Sequence, residues 1–276
     1  MPFTPNATGA NLRSFADVDS SDNPEALFRS LEVGRATSGM LQAEAEVMRR
    51  LRLDTAQRVV DLGCGPGTDA RAIADAMPSS GTVVGVDLSR LMVDEARRRA
   101  GTADGRIEFL VGSATDVPLE SGAFDRCHAQ AIMQHVPDAR GVIAEMARLL
   151  RPGGRAVTLE FDLGSTIIDH PDRATTRLIL DSITDAALDG WIGRQLPRLL
   201  REAGFVEIET APQMVFNEFE FFMFTMRRPV AQLVKDGVVT GRLAVRWMGE
   251  LERMHREGHF LAGSLAFVVS AVRGNG

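Results

Sequence analysis

The chain has 276 residues, 45% of them hydrophobic and 25% charged, which is the composition of a globular protein and excludes a disordered or fibrous one. Lys and Arg total 31 against 37 Asp and Glu, a net charge of -6, so the broad basic face of an electrostatically held nucleic-acid binder is not expected. No apolar run reaches the roughly 18–20 residues of a membrane span, and two cysteines, Cys64 and Cys127, are too few for a disulfide framework, so a reduced cytoplasmic protein is expected.

Residues 1–22 are polar and lack periodicity, and they read as a mobile segment with no secretory signal. A helical cover over 24–56 follows, with a break near Gly34. From Gln57 the pattern alternates strands and helices. R-V-V-D-L-G is a short apolar strand, and Thr68 caps a helix carrying Ala70, Ile73, Ala74 and Met77. T-V-V-G-V-D is a second buried strand, after which Ser89 caps another helix. R-I-E-F-L-V-G and F-D-R-C-H-A-Q are the third and fourth strands. A helix with Val142, Ile143, Met146 and Leu149 on one side stops at Pro152-Gly153-Gly154, and R-A-V-T-L-E-F is the fifth strand. Later helices are expected over 172–188, 196–203, 218–235 and 240–257, with strands F-V-E-I-E-T and S-L-A-F-V-V-S-A-V. The alternation predicts an α/β fold, a mostly parallel sheet with helices on both faces, whose ligands bind beyond the carboxyl ends of the strands. One domain is expected over 23–276. Its cofactor-binding core is 57–161, and 162–276 supplies substrate-side helices and the last strands.

The most specific signal is V-V-D-L-G-C-G-P-G-T, at a strand-to-helix turn. Gly63, Gly65 and Gly67 let a ligand approach the backbone, and Asp87, ending the next strand, suits the two hydroxyls of a ribose. A dinucleotide loop needs G-x-G-x-x-G. Counted from Gly63 its third glycine falls on Thr68, and counted from Gly65 on Ala70, so a nicotinamide or flavin is disfavoured.

Five ordered motifs then carry a resemblance: D-L-G-C-G-P-G-T, V-G-V-D-L-S, V-G-S-A-T-D-V-P-L, F-D and L-L-R-P-G-G-R. Together they resemble the class I S-adenosylmethionine-dependent methyltransferases, in the small-molecule branch of ubiquinone/menaquinone methyltransferases and natural-product tailoring enzymes. The match spans Arg58 to Phe161, with a weaker continuation at L-R-E-A-G-F. The resemblance implies a Rossmann-like seven-stranded sheet and S-adenosyl-L-methionine as cofactor. Asp61 and the three glycines would border its methionine part, with Gln130 nearby. Asp87 would bind the ribose, Leu88 and Met92 would pack on adenine, and Ser113 and Ala114 would face the adenine edge. Many relatives carry an acid at the position of Ser113; a neutral hydroxyl accepts more weakly. Arg35 is the candidate for the cofactor carboxylate.

Methyl transfer needs an aligned acceptor in a dry pocket, and a base only where the acceptor carries a proton of high pKa. His135, in M-Q-H-V-P-D after the fourth strand, is the first candidate for base or orienting group. Glu160 and His170, near the end of the fifth strand, are the others. His128 reads as a packed strand residue. His255 and His259 lack the glutamate of a zinc H-E-x-x-H helix, so no metal is expected. The Phe- and Met-rich stretch 216–226 is either an apolar lid over a hydrophobic acceptor or sheet packing. Residues 129–135, A-Q-A-I-M-Q-H, lack the Pro-Pro motif of enzymes that methylate nucleic-acid amino groups. The expected partner is an apolar or amphipathic small molecule of secondary metabolism. A cyclase or rearrangement enzyme on the same fold is the alternative, and a homo-oligomer is compatible with the sequence.

Overall fold

A computed structural model describes residues 18–20, 24–101 and 105–275. Seven strands form one sheet: β1 (Arg58–Leu62), β2 (Thr82–Asp87), β3 (Ile107–Val111), β4 (Phe124–Gln130), β5 (Leu150–Ile168), β6 (Phe205–Phe216) and β7 (Ala262–Arg273). Their order is β3-β2-β1-β4-β5-β7-β6. The first five pair in parallel, and β7 runs antiparallel between β5 and β6.

Alternate residues of the central strands serve two cores, as the strand period requires. Val60 and Leu62 of β1 pack with α5 (Ala139–Leu149) and α7 (Ile192–Glu202). Val59 packs on the opposite face with α2 (Ser38–Leu51), α3 (Thr68–Ala76) and α4 (Arg90–Ala100). A third core joins α6 (Arg173–Ala186), α8 (Phe219–Lys235) and α9 (Gly241–Arg256) around the buried Trp247. This last unit sits beyond the carboxyl end of β5, where it can wall a site against the strand ends.

The helical cover breaks where expected, between α1 (Pro24–Arg35) and α2, with Thr37 as the cap of α2. The structure adds one short element and corrects two expectations. Residues 18–20, placed in a mobile segment, form a 3-10 turn whose Asp19 accepts hydrogen bonds from the Arg90 and Leu91 amides at the start of α4. The rest of 1–22 lies outside the described residues. Thr68 is not the cap of α3: Gly67 holds that position in the left-handed region, with no side-chain cap. β5 and β6 run past 161 and 210 to Ile168 and Phe216, because β7 supplies both with antiparallel partners along its length.

Candidate active site

The loop after β1 uses its three glycines differently, although all have positive φ. A Cβ on Gly63 would lie 2.1 Å from Cγ2 of Ile132, and one on Gly67 would lie 2.7 Å from Cζ of Phe109. Those two glycines permit close packing. A Cβ on Gly65 would meet nothing within 4 Å, so its backbone borders open space. Its N–H donates to Oδ2 of Asp87 at 2.9 Å, and the Ser89 N–H donates to Oδ1 at 2.9 Å. Burial pushes the Asp87 carboxyl above its ordinary value, against these two amides. Each of its oxygens keeps a lone pair for a further donor.

The loop opens into a cavity of about 770 Å³. Gly63, Gly65, Asp87, Leu88, Met92, Ser113, Ala114 and Gln130 line it, as do Gln134 and His135. Leu88 stands on the rim, 66% exposed, whereas Met92 is buried against Val18. The Ser113 hydroxyl bonds to that of Thr115 at 2.8 Å. Gln130 donates to Glu44 at 3.3 Å, and its Oε1 is buried with no partner among the described residues, as is that of Gln134. Charge divides the cavity. The charged lining residues Asp19, Glu32, Arg35, Asp69, Asp87 and Asp138 belong to the half near the glycine loop and the turns after β2 and β4. Everything contributed by β5, α6, β6, α8 and β7 is uncharged, including Phe161, Leu180, Ile183, Phe222, Phe224 and Met226.

Four expected site residues lie outside the cavity lining, and a fifth, Arg35, lines it with its guanidinium already paired. Asp61 does not reach the cavity wall: it is buried behind the loop and hydrogen-bonded to Nδ1 of His128 at 2.7 Å. Burial pushes the Asp61 carboxyl up, and the facing carboxyl pushes the His128 imidazole up against the effect of burial. Gly67 packs on Phe109 instead of facing the cavity. Arg35 lines the cavity, but its two terminal nitrogens hold Asp69 at 2.8 and 2.6 Å, and one also holds Glu44 at 2.9 Å. It is a clamp between α2 and α3 more than an open carboxylate receptor. Glu160 is fully buried outside the lining, where Oε1 accepts the Ile132 and Met133 amides at 2.9 Å each. His170 is also outside it. That ring stacks on Trp247 at 5.5 Å and accepts the Asp172 N–H at Nδ1, so it helps start α6.

His135 does line the cavity, on the 3-10 turn Met133–His135 after β4. Of the 216–226 stretch, Phe221, Phe222, Phe224 and Met226 line the cavity, while Phe222 and Met223 also belong to the third core. No group of metal-ligating side chains occurs among the described residues, and His255 stacks on Phe219 with ring centroids 4.0 Å apart. Sequence reasoning missed Asp19, Glu44, Asp69 and Gln134. Gln134 stands beside His135 in the same segment and was legible there. Asp69 lines the cavity from the first turn of α3, one residue past the glycine motif, whereas Glu44 lies outside the lining and joins the site through Gln130 and Arg35.

The sheet order, the glycine turn and the acid ending β2 define a methyltransferase fold. A methyltransferase domain is matched over residues 59–154. The chain is 36% identical over 219 residues to an uncharacterized 37.1 kDa protein in transposon TN4556 of Streptomyces fradiae, covering 78% of this chain and 62% of that one. It is 32% identical over 200 residues to an O-methyltransferase of Pyrenophora dematioidea, covering 72% and 70%. Phosphoethanolamine N-methyltransferase 2 of Haemonchus contortus shares the fold, with a TM-score of 0.60 at 20% identity over 96% of this chain and 61% of that one. The chain belongs to the class I S-adenosylmethionine-dependent methyltransferases. It spans less than two thirds of the Streptomyces relative, and 45% and 46% of two further relatives. The residues present fit the family's cofactor: Gly65 borders open space, Asp87 lies beside it, and the unpartnered amide oxygens of Gln130 and Gln134 belong to the same wall.

Proposed function

We propose that the protein transfers a methyl group from S-adenosyl-L-methionine to an apolar or amphipathic small molecule of secondary metabolism, in the cytoplasm. The observation that carries the reading is the open backbone at Gly65 beside the Asp87 carboxylate, in one cavity with an uncharged lobe. When bound, the cofactor supplies a methyl group on a cationic sulfur, open to in-line attack by an electron-rich atom of the acceptor.

The chain's own residues bind, orient and exclude water. Asp87 accepts from the ribose hydroxyls, in charge-assisted hydrogen bonds. Leu88 and Met92 cover adenine, and Ser113 with Ala114 meets its edge. Gly63 and Gly65 border the methionine part, and Gln130 offers it an amide oxygen. The amides at the start of α3, rather than Arg35 alone, offer the carboxylate an anion site. The apolar faces of α6 and α8 keep the reacting atoms dry. His135 takes the proton of a hydroxyl acceptor or orients it.

Incubation of the protein with methyl-labelled cofactor and an extract of the source organism tests the reading, with mass spectrometry of the labelled compound. A gain of one methyl is the expected result. A product of unchanged mass points to the cyclase or rearrangement alternative. Titration with S-adenosylhomocysteine that gives no binding overturns the cofactor assignment.

A further inference from the structure

Glu160 answers a question that the end of β4 poses. Parallel pairing carries β4 along β5 as far as Gln130 opposite Leu159. The chain then leaves the sheet. Ala131 takes φ 53 and donates its N–H to the Leu159 carbonyl at 2.8 Å. The next amides, of Ile132 and Met133, have no strand to bond to, and a buried amide without an acceptor is costly. Glu160 is the residue after Leu159, and its Oε1 accepts both at 2.9 Å. The side chain is wholly buried, and Oε2 has no partner among the described residues.

What that turn carries gives the bond its consequence. Ile132 fills the space against Gly63, so the turn packs on the glycine loop. Gln134 and His135, the next two residues, line the cavity. The His135 N–H closes the turn onto the Ile132 carbonyl at 2.9 Å. A single acceptor atom therefore fixes the start of the segment that presents both side chains.

We infer that Glu160 is a positioning residue: through Oε1 it holds the 131–135 turn, and with it Gln134 and His135, against the glycine loop. It touches neither cofactor nor acceptor. The hold depends on the reach of the side chain and on one accepting oxygen, not on the negative charge. The surroundings agree with that. On the β7 side its register partner is Phe267, and on the α7 side the backbone of Gly193 packs against its own carbonyl.

Three substitutions separate reach from charge, and hydrogen exchange of the purified full chain, read by mass spectrometry on the peptide spanning 131–136, reports the outcome. Glu160→Gln keeps an oxygen at the same reach without charge, and protection is expected to match the parent. Glu160→Asp keeps the charge but falls short, and Glu160→Ala has neither. In both, the 132–133 amides are expected to exchange roughly tenfold faster, the scale of one lost hydrogen bond, with peptides of β1 and α5 unchanged. Equal protection in the parent and Glu160→Ala overturns the inference. So does exchange in Glu160→Gln as fast as in Glu160→Ala. This measurement needs neither cofactor nor acceptor and is independent of the proposed reaction. The catalytic consequence does rest on that reading: Glu160→Ala lowers label transfer roughly tenfold to a hundredfold, as a displaced turn predicts, and Glu160→Gln restores it. Transfer by Glu160→Ala at the parental rate removes the positioning role.

Discussion

Asp87 is the side chain on which cofactor affinity should depend most. Two amides already orient it, and the open space at Gly65 lies alongside. Asp87→Ala is expected to weaken S-adenosylhomocysteine binding by about 2–3 kcal/mol, the range for hydrogen bonds to a charged group, and calorimetric titration reads it directly. A dissociation constant equal to the parent's rules the ribose assignment out. His135→Ala should slow label transfer more than it weakens binding of the demethylated cofactor, because the ring belongs to the turn after β4 and not to the glycine loop. Unchanged transfer removes it from the reaction. Glu160 makes a prediction of a different kind. Burial pushes its carboxyl up from 4.5 to about 7, against the backbone amides that favour the charged form. A carboxyl raised in the folded state contributes stability that is fully present below pH 4.5 and lost as pH rises through 7. The difference of pKa corresponds to about 3 kcal/mol. Glu160→Gln, which cannot ionise, should therefore match the parent in urea midpoint near pH 5 and exceed it near pH 8. The same offset at both values contradicts the assignment.

At the scale of elements, the glycine turn shows that one motif can serve two purposes. Gly67→Ala brings a methyl to 2.7 Å from Phe109 and 3.0 Å from Ala96 at φ 77, and it should cost about 1–3 kcal/mol of stability. Gly65→Ala meets no neighbour, so its cost in stability is the left-handed backbone alone, about 1 kcal/mol, while its methyl occupies the space where a cofactor would lie. Urea midpoints and cofactor titrations on both variants should rank in opposite orders. The same order in both would mean that the two glycines do one job. This division was hidden in the sequence, where three glycines at alternate positions look equivalent. The core of the fold was legible because the strands from Arg58 to Val111 are short apolar runs between turn residues, and periodicity reads such runs well. The lengths of β5 and β6 were not, because their outer halves exist only through pairing with β7, a partner far away in sequence. The site followed the same rule. Asp87, Gly63 and Gly65 stand on the cavity wall because strand ends place them there. His170 and Glu160 lie outside the lining because closeness to a strand end does not say which side of the backbone a side chain takes.

Over the whole molecule, the cavity is electrostatically two-sided. Five acids and one arginine line the half near the glycine loop, a field suited to a cationic sulfonium, while the lobe formed by α6, α8 and the ends of β5, β6 and β7 carries no charge. An unpaired charge in such a lobe is costly, so an acceptor that enters it should be neutral in the part that α6 and α8 cover. Leu180, half-buried on the cavity face of α6, tests this. Leu180→Glu introduces a carboxylate there, and Leu180→Gln introduces the same bulk without charge. Binding of S-adenosylhomocysteine should stay at the parental level in both, because neither change approaches Asp87 or Gly65. Label transfer to the acceptor should fall roughly tenfold or more in the Glu variant and much less in the Gln variant. The deficit should shrink as pH falls, since a carboxyl in apolar surroundings has a raised pKa and the neutral acid resembles the amide. A Glu variant that transfers label as fast as the Gln variant at neutral pH, or faster, would mean that the acceptor brings its own positive charge into the lobe, and the neutral-acceptor reading would fall while the cofactor assignment stood.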